Sequence, residues 1–290
     1  MSTCQFYSKG CRTSYDKIWT QFPPSIRFEA SAGQLQYKIR RIIGGDLNER
    51  EKSHRYYGRF ERTRTCIGIT FRQEGYMLAI CARGEKELRL VQKEAEQYGA
   101  EVIAITADVS KPKDVDRFIS IVENQYGEID FLINNASIFG PGPLYLADYP
   151  DEQFTEVLSL NVLSPFLMTK RVLPGMLARS FGVIIQLTSE AGKTGFAEWG
   201  AYGISKFAVE GMSETWADEL EDTGVRINLL DPGEMNTEMH AVAVPDCDYP
   251  LAHPSEILPV FDYLLSDAAK TTNGKCFEAQ TFLAETRDEK

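Results

Sequence analysis

From Met77 onward this chain alternates short, unbroken apolar runs with charged segments of helical length, and few architectures tolerate that pattern. The apolar runs are Met77–Ala82, Val102–Thr106, Phe131–Ile133, Gly182–Leu187, Val225–Leu230 and Cys276–Ala279. The segments between them read as helices over Gly84–Tyr98, Lys111–Tyr126, Asp151–Arg179, Ala201–Leu220 and Pro254–Ser266. Ser110 with Asp114 suits the start of the second helix. Pro165 and Pro174 mark kinks or turns in the long third one. An apolar run without a two-residue period is a strand buried on both faces. Such strands, joined by right-handed helical crossovers, form a Rossmann-like, doubly wound parallel sheet of the α/β class. Ligands of these sheets collect at the carboxyl ends of the strands. Asp108, Asn134, Ser189 and Pro232-Gly233 all fall there.

Charge divides the chain unevenly. Residues 1–66 carry 13 Lys/Arg against 6 Asp/Glu, whereas residues 67–290 carry 18 against 36. The first stretch is therefore expected to be an atypical, irregular N-terminal segment. One domain is expected over residues 67–282, with a charged tail at 283–290. Within the first stretch, Ile39, Ile42 and Ile43 suit one short strand before Gly44-Gly45. An acidic main body argues against a nucleic-acid partner. The six cysteines are scattered without zinc spacing, so no metal site is expected, and free thiols suit a cytoplasmic protein. There is no apolar run of about 18 residues, and hence no expected membrane span. No apolar leader follows Met1.

The chemistry centres on Tyr202-Gly203-Ile204-Ser205-Lys206. At i and i+4, Tyr202 and Lys206 share one helix face. A phenol is a poor acid–base group near neutrality, and a neighbouring ammonium favours its ionised form. Ser189 follows the strand Gly182–Leu187, where its hydroxyl would hold a substrate oxygen; the competing reading is a cap or turn residue. Asn161 is an amide in an apolar helical stretch, which requires a partner. A water that relays a proton to Lys206 is one candidate.

Asn134-Asn135-Ala136, Asn161, Ser189, Tyr202-x-x-x-Lys206 and Pro232-Gly233-x-x-x-Thr237 stand in the order and at the spacing of the short-chain dehydrogenase/reductase family. The chain resembles that family over roughly residues 67–282. The resemblance implies an oxidoreductase that passes a hydride between a nicotinamide and a carbonyl/alcohol substrate. Tyr202 would be the general acid/base. Lys206 would lower its pKa and bind the nicotinamide ribose. Ser189 would orient the substrate, and Asn161 would complete a proton relay. Asn134 and Ala136 would line the cofactor cleft, Asp108 and Val109 the adenine end, and Pro232, Gly233 and Thr237 the nicotinamide end. Ser137 replaces the glycine usual after Asn-Asn-Ala. Arg83, after the strand Met77–Ala82, suits a 2′-phosphate and favours NADP over NAD; its competing reading is a solvated arginine. Members of the family assemble as homodimers or homotetramers, which would use the Asp151–Arg179 and Ala201–Leu220 helices.

The segment Glu234–Pro254 would cover the substrate, with Glu198 and Trp199 also lining its pocket. Acidic Glu190 and Glu198 at the mouth disfavour anionic substrates. His240 and His253 read as incidental to catalysis. The family's glycine-rich turn after its first strand, whose backbone N–H groups cradle the diphosphate, has no counterpart here. Gly68 would be its last glycine, but the helix after it would be about one turn too short. Three readings stay open: an aberrant N-terminus, a diverged working loop, or a targeting peptide over residues 1–45. Without the turn, the sheet would lose its central strand and the diphosphate its main donors. The rival to an enzyme is then a non-catalytic binding relative.

Overall fold

The computed structural model describes residues 66–72, 75–97 and 101–282. All of them belong to one compact unit, Gly44–Lys290. The Ile39–Ile43 strand and the targeting segment fall outside the described residues.

Strands β1 (Cys66–Arg72), β2 (Gly75–Ala82), β3 (Glu101–Thr106), β4 (Phe131–Asn134), β5 (Gly182–Leu187), β6 (Val225–Asp231) and β7 (Cys276–Glu278) form one sheet in the order β3-β2-β1-β4-β5-β6-β7. The β2/β3, β4/β5, β5/β6 and β6/β7 pairs are parallel. The main helices are α1 (Glu85–Gln97), α2 (Pro112–Tyr126), α3 (Asp151–Leu158), α4 (Ser164–Arg179), α5 (Gly200–Glu219), α6 (Glu238–Ala243) and α7 (Leu258–Leu265).

Side chains alternate between the faces of each strand. Met77, Ala79 and Cys81 of β2 join Leu132 and Ile184 in a core under α2, α4 and α5. Leu78, Ile80 and Ala82 join Ile133 and Ile185 in a second core, under α1 and α7. Helices on both faces explain why these strands show no polar alternation.

The central strand departs from expectation. β1 runs antiparallel to both neighbours, with Cys66 opposite Cys81, Arg72 opposite Gly75 and Ile67 opposite Ile133. The sheet therefore keeps a strand between β2 and β4, and its expected loss does not occur. Gly68 lies inside β1, opposite Ala79 and Leu132, not in a phosphate-binding turn. The reason is geometric. An antiparallel neighbour needs only a two-residue connection, whereas a parallel one needs a crossover of about a dozen residues. Only Gln73 and Glu74 separate β1 from β2. A vacant place would also leave the facing edges of β2 and β4 unpaired inside the protein.

Two local expectations change as well. Ser110 does not cap α2; its hydroxyl donates to Asp108 Oδ1 at 2.6 Å, and Asp114 accepts the Asp108 N–H at 2.8 Å. The long helix over Asp151–Arg179 is divided by a π turn at Ser159–Leu163, while Pro174 lies inside α4. A π turn widens the helix by one residue, and such turns are frequent at functional sites.

Candidate active site

Tyr202 and Lys206 lie on the first turns of α5, 8% and 3% exposed. Ala201, Gly203 and Ser205 are buried beside them, and their small size lets α5 press against the sheet. Lys206 Nζ donates to the Leu187 carbonyl at 2.9 Å, at the carboxyl end of β5. It lies 5.3 Å from the centre of the Tyr202 ring. Burial pushes the Lys206 ammonium down to about 8, against the opposing pull of Asp231 and Glu210. Asp231, the last residue of β6, is itself buried, and burial raises its carboxyl. The Gly233 N–H, bonded to Asp231 Oδ1 at 2.9 Å, acts the other way, as do Lys193 and Lys206. Neither Asp231 nor Glu210 carries a distinctive motif in the sequence. An acid directly before Pro-Gly was the only available signal.

Asn161 occupies the π turn. Its Oδ1 accepts the Ile138 N–H at 2.8 Å, and its Nδ2 donates to the Ile138 carbonyl at 2.9 Å and to Ser205 Oγ at 3.0 Å. Both amide protons are committed to protein partners, so the side chain anchors the site and donates to no relay water. Ser189 Oγ accepts the Ala191 N–H at 3.3 Å and caps a short turn over Glu190–Gly192. That bond occupies a lone pair and leaves the hydroxyl proton for another acceptor.

The residues expected to meet a cofactor line the carboxyl edge of the sheet. Asn134 Nδ2 donates to Thr169 Oγ1 at 3.2 Å, while its Oδ1 is buried without a hydrogen-bond partner. Ala136 and Val109 are buried. Burial works to raise the Asp108 carboxyl, but hydrogen bonds from Ser110 and the Lys111 charge outweigh it and lower it. Gly233 has φ of 70°, and a Cβ there would stand 2.6 Å from Gln280 Nε2, which also donates to the Pro232 carbonyl at 3.2 Å. Thr237 Oγ1 caps α6 by accepting the His240 N–H at 3.1 Å. Arg83 pairs with Glu156 on α3 at 3.4 Å, so its guanidinium is not simply solvated.

These residues fit the nicotinamide end of a dinucleotide: an amide oxygen buried without a partner and a buried lysine lie by the carboxyl ends of β4 and β5. The diphosphate end fits less well. Because β1 is reversed, Cys66 reaches the carboxyl edge beside Cys81, and β1 leads into β2 with no helix between them. Among the described residues, no helix N-terminus follows the central strand there.

The cover segment is tied down by Glu234. Tyr249 donates its hydroxyl to Glu234 Oε1 at 2.8 Å, and His240 Nε2 lies 3.3 Å from the same oxygen. The Glu234 hydrogen bond, followed by a smaller effect of burial, pushes the Tyr249 phenol up to about 12. Among the described residues, no cluster of His, Cys, Asp and Glu suits a metal ion, and no helix is long and apolar enough to cross a membrane.

The fold defines a Rossmann-like α/β protein. The chain belongs to the short chain dehydrogenase family, whose family model matches residues 65–248. It is 36% identical over 171 residues to a Streptomyces coelicolor protein named as a ketoacyl reductase, covering 58% of this chain but only 65% of that protein. It is 30% identical over 219 residues to a 3-oxoacyl-[acyl-carrier-protein] reductase of Staphylococcus epidermidis, covering 72% of this chain and 89% of that one. A Shigella flexneri short chain dehydrogenase structure, complexed with NADP, superposes with a TM-score of 0.66 at 29% identity, over 70% of this chain and 85% of that one.

Proposed function

We propose that this protein is an NADP-dependent oxidoreductase acting on a carbonyl/alcohol pair, with Tyr202 as its general acid/base. The observation that carries this reading is the convergence of Tyr202, Lys206 and Ser189 on one sheet edge, braced by Asn161 through Ser205. A nicotinamide, when bound, donates or accepts the hydride. The protein's own residues manage the proton and the geometry. In reduction, the Tyr202 hydroxyl gives its proton to the substrate oxygen; in oxidation, it takes that proton back. Lys206, as an ammonium beside the ring, favours the phenolate that remains. Ser189 donates its hydroxyl proton to the substrate oxygen and fixes the distance to Tyr202.

Lys206, Asn134, Ala136, Pro232, Gly233 and Thr237 would hold the nicotinamide end, and Asp108 and Val109 the adenine end. Arg83 would recognise the 2′-phosphate, exchanging one anionic partner, Glu156, for another. The Shigella flexneri relative's NADP supports this choice. Leu163, Ile204 and Phe207, exposed on the π turn and α5, suit a homodimer or homotetramer in a cytoplasmic setting; a monomer by light scattering would count against it.

The reversed β1 favours a second reading, a binding relative without turnover, because the diphosphate lacks its usual backbone cradle. Titrating the full chain with NADPH and NADH, followed by tryptophan quenching and energy transfer, separates the two. Saturable binding that prefers NADPH supports the enzyme. A folded chain that binds neither dinucleotide is the non-catalytic relative.

A further inference from the structure

A row of aromatic rings leads outward from Tyr202. The Phe139 ring lies 5.3 Å from the Tyr202 ring and 5.4 Å from that of Trp199. Trp199 is 5.8 Å from Tyr202, and Phe196 continues the row 5.4 Å beyond Trp199. Phe139 is buried, Trp199 half-buried and Phe196 39% exposed. The row therefore starts at the proton donor and ends in solvent. Rings at these separations attract one another through their edges and faces, and an outer ring left open offers the same attraction to a ligand.

The backbone holds Trp199 in place. Glu198 adopts φ of 69°, in the left-handed region that disfavours a residue with a side chain, and its carbonyl accepts the Leu144 N–H at 3.1 Å. Gly200 follows at φ of 35°, and a Cβ there would stand 2.5 Å from the Tyr149 ring. Glu198 is itself exposed, so its strained conformation buries no side chain of its own. Its consequence is the position of Trp199, and strain retained at such a place is characteristic of ligand contacts. Beyond Phe139, a cavity of about 210 Å³ opens between the Ile138–Pro141 segment and α6, where Met239 and Val242 face it.

The charges near Tyr202 do not suit an anion. Glu190 and Glu198 are exposed on the segment before α5. Lys193, on the same segment, is paired with Glu278 at 3.3 Å, and Lys206 is buried on the Leu187 carbonyl. A carboxylate or phosphate beside the reacting carbon would meet acidic groups and already-paired cations.

We infer that the site takes neutral carbonyl or alcohol compounds bearing a flat apolar ring next to the reacting carbon, and that Trp199 sets this preference by stacking on the ring. The inference rests on the oxidoreductase reading above and specifies its substrate class.

The test uses the full chain with acetophenone, butanone and pyruvate as ring-bearing, aliphatic and anionic probes. Each is measured for kcat/KM with NADPH, and separately for binding by equilibrium dialysis without cofactor. The expected result is a preference for acetophenone of at least tenfold. Trp199→Ala should reduce the acetophenone-to-butanone ratio about tenfold, Trp199→Phe should restore most of it, and Phe196→Ala, at the exposed end, should reduce it by a smaller factor. A preference for butanone or pyruvate, or a Trp199→Ala effect equal on all probes, overturns the inference and leaves the oxidoreductase reading intact. Absence of turnover with every probe, alongside acetophenone binding that Trp199→Ala weakens, rejects the oxidoreductase reading and keeps the ring site.

Discussion

Asn161 reaches across from the π turn to Ser205 on α5, with Nδ2 3.0 Å from Ser205 Oγ, and Ser205 in turn donates to the Tyr202 carbonyl at 2.6 Å. The same amide clamps the Ile138 backbone in both directions. One side chain thus ties the segment after β4 to the helix turn that carries the candidate acid. Asn161→Ala would leave the Ile138 N–H and carbonyl buried without these partners. Each such group costs about 1–3 kcal/mol. Urea unfolding should show a loss of about 2–6 kcal/mol in total, and activity should fall with it. Unchanged stability would remove Asn161 from its anchoring role.

Tyr202→Phe keeps the ring and its contacts with Phe139 and Trp199 but deletes the proton. Turnover should drop by roughly 10²–10⁴-fold, the usual worth of a positioned acid or base, while NADPH binding and the circular dichroism spectrum stay as they were. Retention of turnover would exclude Tyr202 as the acid.

Asp231 stands close enough to Lys206 to favour its ammonium, against the burial that holds it near 8. Asp231→Asn removes that support, so Lys206 should lose its proton at lower pH. The alkaline limb of the kcat/KM profile should move downward by roughly one pH unit; an upward move would contradict the coupling. Stability follows the same sign. Between about 8 and the ordinary lysine value, the folded chain releases a proton that the unfolded chain keeps, so stability gains with rising pH in that window. Lys206→Met should lose this gain, as measured by denaturation at a series of pH values.

A 2′-phosphate at Arg83 would compete with Glu156, which holds the guanidinium through one contact, Nη1 to Oε1 at 3.4 Å. Glu156→Gln frees it, and NADPH should bind about two- to fivefold more tightly, in keeping with the modest worth of an exposed ion pair. NADH affinity should not change. Equal effects on both dinucleotides would reassign Arg83 to the solvent.

Gly68 pairs on both sides within β1, so proline there removes a ladder hydrogen bond from the middle of the sheet. Gly68→Pro should destabilise the chain by about 1–3 kcal/mol, read from its thermal midpoint. No change would mean that the reversed strand carries none of the sheet's stability.

Much of this architecture was legible in the linear sequence. The runs at Met77–Ala82, Phe131–Ile133 and Gly182–Leu187 had to be strands covered on both faces, because a strand with one wet face needs alternating polar residues. The spacing from Tyr202 to Lys206 had to share one helix face. Strand ends at Asp108, Asn134 and Ser189 had to converge, because parallel strands bring their carboxyl ends to one edge. The tertiary structure alone decided the rest. Residue periodicity shows which side of a strand is buried, but not which way it runs between neighbours; β1 was set by its two-residue link to β2 and by the edges waiting on either side. Nor does local pattern show which distant groups meet. Glu156 on Arg83 and Asn161 on Ile138 and Ser205 are contacts between different elements of the chain, and the Asn161 contacts form because packing around the π turn leaves a buried amide that needs partners.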